Sequence, residues 1–107
     1  MKVKMTIRSG EKVLFDQLIE KGVYVIGRAK DSDFMVDEDG ISRKHLQIEI
    51  DDLGCKVFLT DLGSSNGTRT GSQKLAANVR EEFKAFYQSI DLSYNVRIFL
   101  EVEMDLS

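Results

Sequence analysis

Alternation of apolar and polar residues is the feature that most restricts how this chain can fold. In Lys2–Arg8 every second residue is apolar, and the same period of two runs through Leu46–Ile50 and Val96–Glu103. In an extended strand, a period of two places all the apolar side chains on one face. These three segments therefore predict strands that each bury one side.

Shorter apolar runs between polar turns predict the remaining strands. They are Val13–Phe15, Val23–Ile26 and Cys55–Thr60. The residues Asp51–Gly54 predict the turn of a hairpin that leads into the last of these runs. Short strands at intervals of about ten residues are typical of an antiparallel sandwich. The sequence thus predicts an all-β fold, an antiparallel β-sandwich.

The segment after residue 72 gives an ambiguous pattern. Four apolar residues recur there at helical spacing: Leu75, Val79, Phe83 and Phe86. The run from Ala76 to Ala85 is rich in good helix formers, which favours one short amphipathic helix near residues 76–86. The alternative is an irregular arm in which Phe86–Leu92 is a strand, because short apolar runs do not separate helix from strand by period alone.

Length and composition narrow the functional classes. A chain of 107 residues is expected to form a single domain over residues 1–107, and the single cysteine, Cys55, cannot form an internal disulfide. The absence of an internal disulfide fits a reducing compartment, so we expect a cytoplasmic protein. We expect no membrane span, since no apolar run approaches the roughly 20 residues that a bilayer requires. The formal net charge of −3 argues against a general nucleic-acid binder but allows a local basic pocket.

Three polar clusters follow or separate the predicted strands. They are Gly27-Arg28, Ser42-Arg43-Lys44-His45 and Asp61-Leu62-Gly63-Ser64-Ser65-Asn66-Gly67-Thr68. An arginine offers a planar fork that binds phosphate or carboxylate, and serine and asparagine offer hydrogen-bonding hydroxyl and amide groups. Three such clusters on loops of one sandwich indicate a site for an anionic group at one end of the fold.

These clusters, together with Ser32-Asp33, resemble those of the forkhead-associated (FHA) domain in order, spacing and residue type. The resemblance covers residues 3–71 well and the remainder poorly, so we expect the later hairpins to be remodelled or to contain the helix. It implies an eleven-stranded sandwich of the FHA/SMAD-like type. It further implies a phosphopeptide-binding module for signalling that recognises phosphothreonine in partner proteins, without catalytic activity or a cofactor.

The resemblance also implies roles for individual residues. Arg28 and Ser42 are expected to contact the phosphate, with Ser65 completing the pocket and Arg43 adding charge. Asn66 is expected to hydrogen-bond the backbone of the partner. The remaining motif residues are expected to shape the loops without touching ligand: Gly27, His45, Gly63 and Gly67. Lys30, Lys44 and Arg69 flank the loops, either as solvated charges or as groups that favour acidic residues beside the phosphothreonine.

The alternatives to phosphopeptide binding are a serine hydrolase, a calcium-binding loop and a phosphorylation-independent scaffold. Gly63, Ser65 and Gly67 satisfy the G-x-S-x-G pattern of serine hydrolases, but no convincing helix follows and His45 precedes the serine. A calcium loop around Asp37-x-Asp39-Gly40 is rejected, because its first and last ligand positions fall on Met35 and Leu46; no metal site is expected. A protein-interaction scaffold that binds independently of phosphorylation stays open as the alternative.

Overall fold

The computed structural model describes residues 2–51 and 56–103, and in them the chain forms eleven strands and no helix. The strands are β1 (Lys2–Ser9), β2 (Lys12–Ile19), β3 (Gly22–Gly27), β4 (Phe34–Met35), β5 (Leu46–Asp51), β6 (Lys56–Asp61), β7 (Arg69–Thr70), β8 (Gln73–Lys74), β9 (Glu81–Phe83), β10 (Ile90–Asp91) and β11 (Val96–Glu103). Cys55 and part of the predicted turn at 51–54 lie outside the described residues. No helix in the described ranges is long and apolar enough to cross a membrane.

The strands form two sheets, so the predicted all-β sandwich is confirmed. One sheet has the order β2-β1-β11-β10-β7-β8 and the other the order β4-β3-β5-β6-β9. The strand pairs are antiparallel except for β3 and β4, which run parallel.

Alternation along the strands supplies the core, as the period of two predicts. In β1 the side chains of Val3, Met5 and Ile7 are fully buried, while β11 buries Val96, Ile98 and Leu100 from the neighbouring strand. The central strands β5 and β6 bury alternate residues in the same way. Each fully buried aliphatic side chain contributes about 1.5–3 kcal/mol of transfer free energy.

The helix predicted near residues 76–86 is wrong. This part of the chain contains the strand β9 and turns, and Val79, which the helix would have buried, leaves 45% of its surface exposed. Leu75 and Phe83 are buried, and Phe86 stacks edge-on against Phe83 with the ring centroids 5.2 Å apart. The apolar residues thus reach the core from separate extended segments, and their helical spacing is coincidental.

The register of β3, β5 and β6 brings the three polar clusters to one end of the sandwich. Ile26 near the end of β3 pairs with Leu46 at the start of β5, and Leu46 pairs with Asp61 at the end of β6. Because these strands are antiparallel, the loops that follow β3, precede β5 and follow β6 all leave the sheet at the same end of the strands.

Candidate functional site

The segment just before β5 is joined by backbone hydrogen bonds to the end of β3. The backbone N–H of Arg28 donates to the carbonyl of Ser42 at 2.9 Å, and the N–H of Ala29 donates to that of Arg43 at 3.1 Å. Gly27 makes this approach possible: a Cβ atom there would lie 2.1 Å from the Arg43 carbonyl oxygen. Only glycine fits at this position without moving one of the two backbones.

The side chain of Arg28 is hydrogen-bonded through Nε, while its terminal amino groups stay available to a ligand. Its Nε donates to the carbonyl of Ile41 at 3.0 Å. Among the described residues, its two terminal amino groups have no hydrogen-bond or ion-pair partner, and the residue is exposed. A guanidinium that is fixed in this way presents two terminal amino groups, with four N–H donors, to an incoming anion with little conformational freedom left to lose.

Two further contacts join the loop after β6 to the loop before β5. The backbone N–H of Ser65 donates to the hydroxyl of Ser42 at 2.9 Å, and the side-chain amide of Asn66 donates to the carbonyl of Gly40 at 2.9 Å. The Ser42 hydroxyl accepts in this bond, so its own proton remains available to a ligand. The Asn66 amide oxygen has no partner among the described residues and can accept a backbone N–H.

His45 lies beneath these loops and is fully buried. Its Nδ1 accepts a hydrogen bond from the backbone N–H of Ser42 at 3.1 Å, so the proton is on Nε2, which donates to the carbonyl of Gly67 at 2.9 Å. Burial lowers the pKa of His45, although the Gly67 carbonyl and the carboxylate of Asp61 oppose that shift. The ring therefore joins two loops as a neutral group, and neither nitrogen is free to take a proton from a serine.

Asp61 organises the turn after β6. One carboxylate oxygen accepts the backbone N–H groups of Gly63 and Ser64, each at 3.1 Å, and the other accepts the hydroxyls of Ser64 at 2.6 Å and Thr68 at 2.7 Å. Burial by itself raises the pKa of Asp61, but the hydrogen bonds from Ser64 and Thr68 outweigh it and hold the pKa below its usual value. Gly67 completes the turn with a φ of 78°, in the left-handed region that favours glycine.

Three of the five predicted ligand-binding residues line two separate cavities. Arg28 and Arg43 line one of about 470 Å³ together with Ala29, Lys30 and Asp31. Asn66 lines another, with Arg69, Tyr94 and Arg97 among its walls. Ser42 and Ser65 line neither cavity. The segment 40–43 connects the two groups, because it accepts hydrogen bonds from Arg28, Ser65 and Asn66.

Comparison with known proteins shows the family to which the chain belongs. A family model for the FHA domain matches residues 24–83, which include the three polar clusters and more than half of the chain. The chain belongs to the FHA domain family. The FHA domain-containing protein FhaA of Mycobacterium tuberculosis is 42% identical over 50 residues, which are 47% of this chain and 9% of that protein. The chain thus spans less than a tenth of the length of that relative.

Solved FHA structures share the fold over nearly the whole chain. A structure from a study of phosphothreonine-dependent FHA domain interactions is 28% identical, with a TM-score of 0.75 and coverage of 97% of this chain and 99% of the other. The FhaA FHA domain complexed with the intracellular domain of Rv3910 is also 28% identical, with a TM-score of 0.69 and coverage of 91% and 99%. The FHA domain of CT664 from Chlamydia trachomatis has a TM-score of 0.83 at 20% identity, covering 97% and 100%, and shows the fold.

Two features of this FHA domain are not predicted from the sequence. The first is that the carboxylate of Asp61, predicted only as the start of a turn, accepts four hydrogen bonds, although an aspartate before a Gly-Ser-Ser run is a usual sign of such a turn. The second is a difference between Lys30 and Lys44, which the sequence presents as equivalent flanking charges. The structure separates them: Lys44 Nζ binds the Asp31 carboxylate at 2.7 Å, whereas Lys30 has no ion pair among the described residues and lines the Arg28 cavity.

Proposed function

We propose that this chain, as a single FHA domain over residues 1–107, binds phosphothreonine in partner proteins through the loops at this end of the sandwich. The observation that carries the proposal is the state of Arg28: its Nε is tied to Ile41 and its terminal amino groups are unpaired among the described residues. A phosphate carries a charge of about −1.5 to −2 at pH 7 and matches the two-pronged guanidinium.

The surrounding residues supply complementary groups. Ser42 can donate its hydroxyl proton to a phosphate oxygen, and Ser65 has an exposed hydroxyl without a partner among the described residues. Arg43 adds a second permanent cation to the cavity that Arg28 lines. Asn66 can accept a backbone N–H of the bound segment through its amide oxygen. Charge-assisted hydrogen bonds contribute roughly 1.5–3 kcal/mol each, so two or three of them support affinities in the micromolar range.

Binding rather than catalysis is the role that these groups support. A serine nucleophile at Ser65 would need a base within hydrogen-bonding reach. Both ring nitrogens of His45 bond to backbone groups instead. FHA domains are typically interaction modules without enzymatic activity, and we assign this chain to that class.

The test is a titration with matched phosphorylated and unphosphorylated threonine peptides, selected from a library with randomised flanking residues. We expect binding of the phosphorylated form alone, and a loss of roughly 30- to 100-fold on Arg28→Ala, equivalent to about 2–3 kcal/mol. Arg28→Lys should bind with intermediate affinity, since lysine keeps the charge without the fork. Lys56→Ala is the control, because Lys56 lies at the opposite end of β6 from the site.

Each result discriminates between functions. Equal binding of phosphorylated and unphosphorylated peptides would favour the phosphorylation-independent scaffold. Unchanged binding by Arg28→Ala, with a folded variant shown by its melting curve, would place the binding site elsewhere.

A further inference from the structure

The cavity at Arg28 holds more positive charge than one phosphate requires. Its lining contains three cations, Arg28, Lys30 and Arg43, and one carboxylate, Asp31. Lys44 Nζ binds that carboxylate at 2.7 Å from outside the lining. The cavity is therefore a locally positive region on a chain whose formal net charge is −3.

Backbone hydrogen bonds fix the loop positions of the residues that carry two of these cations. Lys30 lies in a turn closed by the N–H of Ser32 and the carbonyl of Ala29, at 3.1 Å. Both ends of this turn are attached to the Arg43 carbonyl, by the Ala29 N–H at 3.1 Å and the Ser32 hydroxyl at 3.4 Å. The backbones of Lys30 and Arg43 thus belong to one hydrogen-bonded unit, which fixes the positions from which the two side chains extend.

When the charge of one phosphate is balanced, one of the three cations in the cavity lining still lacks a counter-ion. A phosphothreonine with a charge near −2 is balanced by Arg28 and Arg43, the two arginines that the proposed function assigns to it. Lys30 then faces the same cavity without a counter-ion among the described residues. In contrast, Lys44, in the neighbouring loop, already has Asp31 as its partner.

We infer that Lys30 forms a second anion subsite, so that this domain prefers ligands with a further acidic group close to the phosphothreonine. This inference rests on the proposed function and deepens it. The shared chemistry is an anionic oxygen group within reach of an ammonium. A glutamate or aspartate side chain supplies it with one negative charge, and a second phosphate supplies it with nearly two.

The experiment compares a phosphothreonine peptide whose flanks are neutral with two series of derivatives. In one series, a single glutamate is moved through the positions on each side of the phosphothreonine; in the other, a phosphoserine is moved through the same positions. Affinities are measured with the wild-type domain, Lys30→Gln and Lys56→Gln. The last two variants remove one positive charge each, but only the first removes it from the cavity, because Lys56 lies at the opposite end of β6 from the site.

We expect at least one glutamate position to increase wild-type affinity about threefold to fivefold, and phosphoserine at that position to increase it more. Lys30→Gln should abolish most of this gain while binding the neutral-flank peptide within about twofold of wild type. Lys56→Gln should keep the gain. Raising ionic strength should reduce the gain, because the charges lie at the surface.

The outcomes separate the two proposals. If the neutral-flank phosphopeptide fails to bind, the proposed function falls and the subsite with it. If that peptide binds but no acidic position improves affinity, the subsite alone is refuted. Equal reductions of the gain in Lys30→Gln and Lys56→Gln would show a diffuse field effect and would also overturn the assignment to Lys30.

Discussion

The loops of the candidate site and the segment that follows them differ in what fixes their backbone. In the site, the buried side chains of His45 and Asp61 bond to backbone groups of two loops and hold them in place. In residues 71–88, by contrast, no side chain of the described structure bonds to a backbone group, and the strands are two or three residues long. Arg80 reaches Glu49 through two hydrogen bonds, but both partners there are side chains.

This difference indicates where the domain is organised in advance. Loops that are held by buried polar groups keep their donors and acceptors in position before a ligand arrives, which reduces the ordering cost of binding. The later segment is held by the burial of Leu75, Phe83 and Phe86 and by backbone hydrogen bonds, such as that from the Asn78 N–H to the Asp61 carbonyl at 2.7 Å. Neither depends on the identity of exposed side chains, so such a segment tolerates substitution at its exposed positions.

The largest expected effect comes from Gly27→Ala. The new Cβ would meet the Arg43 carbonyl oxygen at 2.1 Å, so β3 and the segment before β5 would have to separate and their backbone hydrogen bonds would weaken. We expect a loss of about 3 kcal/mol in the free energy of unfolding, measured by urea denaturation. Binding of a phosphothreonine peptide should weaken as well, because Arg28 is the next residue.

Gly71→Ala is the matched control in the later segment. Its Cβ would meet the end of the flexible Gln88 side chain at 2.9 Å, and its φ of 61° costs about 1–2 kcal/mol for a non-glycine residue. We expect this variant to be less destabilised than Gly27→Ala. Equal losses would mean that the close contact of β3 with the neighbouring loop is no more constrained than an ordinary turn.

The second prediction is a pH dependence of stability that originates in the site. His45 is the only histidine in the chain, and its folded-state pKa lies below the ordinary value of 6.5. In the pH range between these two values the unfolded chain binds the proton more readily, so stability is full above pH 6.5 and is lost as pH falls toward the folded-state pKa. The pKa of Asp61 is also lowered, so a further loss follows as pH falls below 3.8.

Thermal unfolding at a series of pH values measures this effect. In the wild type the melting temperature should decline between pH 6.5 and pH 5, where few carboxylates titrate. His45→Gln should be less stable at pH 7 and should show a flatter profile over that interval. A decline of the same size in the variant would assign the pH dependence to groups other than His45.

Much of this could be predicted from the sequence, for reasons that are visible in particular residues. The long strands follow from their period of two, and β11 was predicted with the observed bounds, Val96–Glu103. The three clusters of the site follow from residue type and spacing. Short strands such as β4, β7 and β8 were missed because two residues carry no period. The pairing of Lys44 with Asp31, which leaves Lys30 unpaired among the described residues, depends on two loops meeting in space.

The smallest expected effect tests the segment in which the predicted helix was wrong. Val79 is 45% exposed and outside the core, so Val79→Ser should change the free energy of unfolding by no more than about 0.5 kcal/mol. Phe83→Leu should cost about 1–1.5 kcal/mol, because it removes the edge-on ring contact with Phe86. In a helix with the spacing of Leu75, Val79 and Phe83, both side chains would face the core and both changes would be costly. Urea denaturation of the two variants therefore distinguishes the extended segment from the helix, and a loss of more than about 1 kcal/mol in Val79→Ser would contradict the extended arrangement.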